Sequence, residues 1–114
     1  MNFKNKDLTL QECVYLVNEH LGKIGYYKIE KTPEHAFMHL IEEVGELSRA
    51  LSYEFTDRKS LKKNAQEESV SDELADVFWQ VIKLSLYLKI DLNEAFCNKY
   101  RKNLAKGFPK ESVL

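Results

Sequence analysis

Five acidic side chains in two short stretches could do chemistry together. In HAFMHLIEEVGELSRAL, residues 35–51, Glu42, Glu43 and Glu46 fall within about one helical turn, inside a run otherwise rich in Leu, Ile, Val, Phe and Ala. In SDELADVFWQVIKL, residues 71–84, Glu73 and Asp76 repeat the three-residue spacing at the head of a strongly apolar segment. Residues three apart on a helix share a side, so Glu43 with Glu46 and Glu73 with Asp76 each aim two carboxylates one way. Packed as antiparallel neighbours, the two helices would bring all four to one point. Like charges a few ångströms apart cannot all ionise cheaply, so such a group calls for a cation. Oxygen-only donors suit Mg²⁺, with Mn²⁺ as a substitute, better than zinc or copper, and magnesium commonly bridges to phosphate oxygens. A Glu-x-x-Glu on an ordinary solvated face has no such meaning. These two pairs differ because both border apolar stripes.

The elements that must position them read as helices throughout. The chain has four Gly and two Pro, and they fall outside the apolar runs except where they weaken a helix. Thr9 with Glu12 fits a capping box opening a first helix over about 10–27, weakened in its second half by Gly22 and Gly25. Thr32 and Pro33 open a second, over about 33–55. Phe37, Leu40, Ile41, Val44, Leu47 and Leu51 make its expected core stripe, with Ala36, His39, Glu43, Glu46 and Ala50 on a neighbouring one. Ser69 with Asp72 opens a third helix reaching about Lys89. One apolar stripe there is Val70, Leu74, Val77, Val81, Leu84 and Leu88; a second is Ala75, Trp79, Ile82 and Leu86. Between them runs a polar strip of Glu73, Asp76, Gln80 and Lys83. A helix apolar on two sides must be covered on both, which implies a homo-oligomer, or else a fully internal helix in a monomeric bundle. Asp91 with Glu94 opens a fourth helix, ended by Gly107 and Pro109.

The expected architecture is therefore all-α, four-helix bundle-like. At 114 residues the chain fits one domain, with a core over about 9–108, a polar connector over 56–68 and a loose tail over 109–114. Arg58, Lys59, Lys62 and Lys63 of the connector are either solvated or close over a polyanionic ligand. A formal net charge of -1 gives no general reason to expect nucleic acid or an anionic membrane as partner. Cys13 and Cys97 stand in no metal-binding or redox spacing and read as reduced core thiols. With no apolar leader and no stretch long enough to span a membrane, a soluble cytoplasmic protein is expected.

EEVGEL at 42–47 and ELADVFW at 73–79 resemble the paired motifs, Glu-Glu-x-x-Glu and Glu-x-x-Asp, of MazG-like nucleotide pyrophosphohydrolases in the all-alpha NTP pyrophosphatase superfamily. KIDLNEAFCNKYRKNLAKGFP, residues 89–109, is similar to the family's C-terminal segment. The resemblance implies Mg²⁺-dependent hydrolysis of a nucleoside triphosphate between its α and β phosphorus atoms, giving a monophosphate and pyrophosphate. It implies Glu43, Glu46, Glu73 and Asp76 as metal ligands, and Glu42 as a further ligand or as the group that orients the attacking water. Lys99, Asn103 and Lys106 would contact phosphate or sugar. Trp79, Tyr87, His39 and Gln80 are nominated for the base, and Lys83 joins the substrate-binding set from the polar strip. Short relatives assemble as dimers or tetramers, in keeping with the two-sided third helix.

Two other readings use the same residues. His35 and His39, four apart, could join a carboxylate–histidine site for iron or manganese, although the Glu-x-x-His pairs of di-iron bundles are missing. A helical module that binds a nucleotide or a protein without turnover is the other, and the complete set of acidic ligands weighs against it.

Overall fold

In the computed structural model, which describes residues 7–58 and 68–107, every element is helical. These are α1 (Leu10–Lys23), α2 (Tyr26–Ile29), α3 (Pro33–Phe55), α4 (Val70–Tyr87) and α5 (Leu92–Lys106), with no strand among the described residues. Most of the connector, including Lys59, Lys62 and Lys63, and the whole tail lie outside the described residues.

Local chemistry starts these helices where the sequence places them. The Thr9 hydroxyl accepts from the Glu12 amide at 3.1 Å while the Glu12 carboxylate accepts from the Thr9 amide at 2.9 Å, a complete capping box. Thr32 accepts from the His35 amide, Ser69 from Asp72 and Asp91 from Glu94. Each such cap contributes about 1 kcal/mol by satisfying an amide that the helix itself leaves unpaired.

Two boundaries differ from expectation. The first predicted helix, 10–27, ends at Lys23; Gly25 takes a left-handed φ of 68° and a separate short helix follows. Glycine adopts that conformation without the clash a Cβ would bring. The break swings Tyr26 and Glu30 toward α3 and α4, and the four-helix expectation becomes five helices among the described residues. The third predicted helix stops at Tyr87 rather than Lys89, because Lys89 itself is left-handed, with φ 56°. The Ile90 amide then donates to the Ser85 carbonyl and the Lys89 amide to the Leu86 carbonyl, closing the helix in a Schellman motif without its usual glycine.

The helix pairing inverts the expected core. The α3–α4 pair is the most extensive in the molecule, and the groups it joins, Glu43 with Asp76 and His39 with Lys83, make it antiparallel. Its inner surface is the polar strip of α4, with Glu73, Gln80 and Lys83 buried, against the second stripe of α3, where Ala36 is fully buried. Most of the stripe expected to form the core of α3 faces outward: Phe37 is 51% and Ile41 52% exposed, with Val44 and Leu51 also exposed, while Leu40 and Leu47 are half-buried. On α4, Leu74, Val81 and Leu88 are likewise exposed. The true apolar core lies on the other side of α4, where Val17 and Leu21 of α1 enclose Ile82, with Leu86, Cys13 and Leu92 packed around them. α5 leans chiefly on α1, leaving Phe96, Tyr100 and Leu104 open. No helix among the described residues is long and apolar enough to cross a membrane.

Candidate active site

The antiparallel α3–α4 pair brings both acidic motifs together. Glu43, Glu73 and Asp76 each place a carboxylate oxygen within 4.8 Å of the others. Glu46, one turn beyond Glu43, joins them in the wall of a cavity of about 340 Å³, completed by Arg49, Ala50 and Glu68. Glu43 Oε2 and Glu73 Oε2 are buried without a hydrogen-bond partner. Burial, followed by the charges of Glu46 and Asp76, pushes the Glu43 carboxyl above its ordinary range. The Glu73 carboxyl is raised in the same way, by burial and then by Glu46, Asp76 and Glu43. Orphaned buried oxygens and mutually raised carboxyls are what a hard divalent cation would relieve, and all the donors here are oxygens.

Glu68 is a wall residue that sequence reasoning left in the connector. A hydrogen bond with Asp76, then the charge of Asp76, pushes its carboxyl up to about 7. It belongs to no helical period, so its only signal was its place immediately before the Ser69 cap, which tethers it to the head of α4. Arg49 has a plainer signal, its place three residues after Glu46 on the same helical side.

A second cavity, about 320 Å³, shares Asp76 with the first. Its walls include His20, Leu21, Tyr26, His39, Trp79 and Gln80. The Trp79 and His20 rings meet edge-on with centroids 5.5 Å apart, and Gln80 Oε1 is buried with no partner. His39, Trp79, Gln80 and Lys83 thus gather here, but Lys83 is only 1% exposed and already engaged. Its ammonium lies 3.1 and 3.2 Å from the two Glu30 oxygens, 2.7 Å from His39 Nδ1 and 3.4 Å from the Tyr26 hydroxyl. Burial raises the Glu30 carboxyl, yet hydrogen bonds with Tyr26 and Lys83 outweigh it and hold it below its ordinary range. Burial lowers the Lys83 ammonium.

Other nominated residues lie elsewhere. Tyr87 is on neither cavity wall; its hydroxyl donates to the Glu30 carbonyl, bracing the end of α2. Glu42 opens onto a separate recess with His35, Glu30 and Met38. Lys99, Asn103 and Lys106, on α5, are absent from the walls of both cavities. His35 is likewise outside the carboxylate cluster.

The family model of the MazG nucleotide pyrophosphohydrolase domain matches residues 31–108. The matched stretch includes α3, α4 and α5 and so carries both acidic pairs. The "Uncharacterized protein YpjD" of Bacillus subtilis (strain 168) is 30% identical over 91 residues, which cover 78% of this chain and 78% of that protein. With a family match over well more than half its length, the chain belongs to the MazG nucleotide pyrophosphohydrolase family.

Proposed function

We propose that this chain, acting as one domain, is a Mg²⁺-dependent nucleoside triphosphate pyrophosphohydrolase that clears nucleotides from the cytoplasmic pool. It would cleave an NTP or dNTP between the α and β phosphates, yielding a monophosphate and pyrophosphate. The observation that carries this reading is the convergence of Glu43, Glu73 and Asp76 around buried, unpartnered oxygens. Those three, with Glu46 beside them, would hold Mg²⁺, or Mn²⁺ in its place. When bound, the cation supplies Lewis acidity toward a phosphoryl oxygen and neutralises charge on the triphosphate.

The chain's own residues supply orientation. The second cavity, which meets the first at Asp76, is suited to the nucleoside: Trp79 and His20 offer aromatic surface, and the unpaired Gln80 amide oxygen offers an acceptor to the base. Besides reaching the cation, Glu46 would orient the attacking water, because it lines the carboxylate cavity while Glu42 opens onto another recess. Lys99 and Lys106 would offset charge on the pyrophosphate leaving group and Asn103 would contact phosphate or sugar beside them, all supplied by a second copy of the chain. One feature supports that assembly, as a homodimer or homotetramer: the exposed stripes of α3, α4 and α5 leave large side chains such as Phe37, Leu74 and Phe96 in water.

A screen of natural and damaged NTPs and dNTPs with Mg²⁺, read as pyrophosphate release, tests the proposal. Turnover of at least one substrate, abolished by Glu73→Gln, is expected. Inactivity of the folded protein across the whole panel overturns it.

A further inference from the structure

The buried group around Lys83 is larger than packing requires, and it ends on a carboxylate of the acidic cavity. An ammonium has three donors and no acceptor, so His39 Nδ1, 2.7 Å from Lys83 Nζ, must present its lone pair. The Tyr26 hydroxyl lies 3.0 Å from the same nitrogen, but its one proton is engaged with Glu30. A protonated imidazole would set two donors and two positive charges against each other at this distance. The ring proton is thereby placed on Nε2, which lies 3.4 Å from Glu43 Oε1. Glu30 makes the arrangement tolerable in the interior, because both its oxygens lie within 3.2 Å of the ammonium and keep the buried pair neutral overall.

We propose that Lys83, held by Glu30, locks His39 as the Nε2–H tautomer, and that His39 in turn orients Glu43 for the divalent cation; this rests on the reading of Glu43 as a metal ligand. The lock divides the Glu43 carboxylate. Oε1 faces the imidazole at 3.4 Å, while Oε2, buried and unpartnered, is left for the cation. His39 is then a positioning residue rather than a contact to the base, and Lys83 acts through it rather than on phosphate. Partners of this kind, one shell behind a metal ligand, typically change metal affinity by about 10- to 100-fold when removed.

The test uses the whole protein and two readouts besides turnover. Ring ¹⁵N shifts of His39 in the metal-free protein should show a neutral ring protonated at Nε2. The charge-balanced variant Glu30→Gln/Lys83→Met should lose that single tautomer. His39→Phe should weaken Mn²⁺ binding, followed by electron paramagnetic resonance, at least tenfold, with partial recovery in His39→Gln, whose amide nitrogen can stand near the Nε2 position. An Nδ1-protonated ring in the wild type overturns the proposal even if the double variant fails to fold. Unchanged Mn²⁺ affinity in folded His39→Phe overturns the positioning role alone. A wild-type protein that binds no Mn²⁺ overturns the metal reading, and this inference with it.

Discussion

Glu43 and Glu73 are held in a state the folded chain resists. A carboxyl whose pKa is raised on folding contributes stability below its unfolded value and loses it as pH rises through the folded one. Glu43 and Glu73 are both raised, and Glu68 reaches about 7, so the metal-free protein should lose stability from the ordinary carboxyl range up through neutrality. Glu30, lowered rather than raised, loses stability only as pH falls below that window. Melting in EDTA should therefore give a lower Tm at about pH 8 than at about pH 5, and Mg²⁺ should narrow the difference by screening the cluster. Equal melting temperatures in EDTA would contradict the repulsion. Glu73→Gln separates stability from function, since it removes one buried charge while keeping the side chain's shape. We expect the metal-free variant to gain on the order of 1 kcal/mol, about 4 °C in Tm. It should also lose the Mg²⁺-dependent gain and all pyrophosphate release, as differential scanning fluorimetry and a turnover assay would show.

The helices show why some of this was legible in the sequence and some was not. Capping is a matter of residues three apart, so Thr9, Thr32, Ser69 and Asp91 could be read directly. The acidic motifs were legible for the same reason, as helical spacing fixes which carboxylates share a side. Lys89 was not, because a left-handed lysine depends on the Schellman closure around it rather than on its own preference. Nor was the choice of inner stripe on α3. Periodicity separates Phe37, Ile41 and Val44 from Ala36, His39 and Glu43, but only the partner helix decides which set turns inward. Glu68 escaped because it sits in no period at all. Gly25 was recognised as a weak point, but its role as a hinge was not. A Cβ there would meet nothing within 4 Å, so Gly25→Ala should cost only backbone strain, about 1 kcal/mol. That strain falls on the turn that presents Tyr26 and Glu30 to Lys83. Chemical denaturation should register the loss, and His39 ring shifts should move with it; a variant as stable as wild type would mean the turn relaxes freely.

At the scale of the molecule, the cations proposed to meet phosphate lie off the walls of both cavities of their own chain. α5 leans on α1, and its Lys99 and Lys106 reach neither cavity wall. The faces between them are apolar and open, on α3 through Phe37 and Ile41 and on α5 through Phe96 and Leu104. If those faces meet in a symmetric assembly, each copy lends its α5 to the acidic cavity of its neighbour. Two defective chains can then repair one another. Asp76→Asn destroys the acidic half of a site, and Lys99→Ala/Lys106→Ala destroys the cationic half. Co-expressed, they should form mixed dimers in which one site receives both defects and the other receives neither. With random pairing, half the dimers are mixed, so about a quarter of all sites should be intact. Turnover should approach about a quarter of wild type from two preparations that are each nearly inactive alone. A chain whose own α5 swings over its own cavity gives no such repair, because every site then carries one defect or the other. Phe96→Glu supplies the control, since a charge in the open face should yield monomers by light scattering and abolish the repair. Repair that survives in a monomer would rule out sharing between copies as its cause.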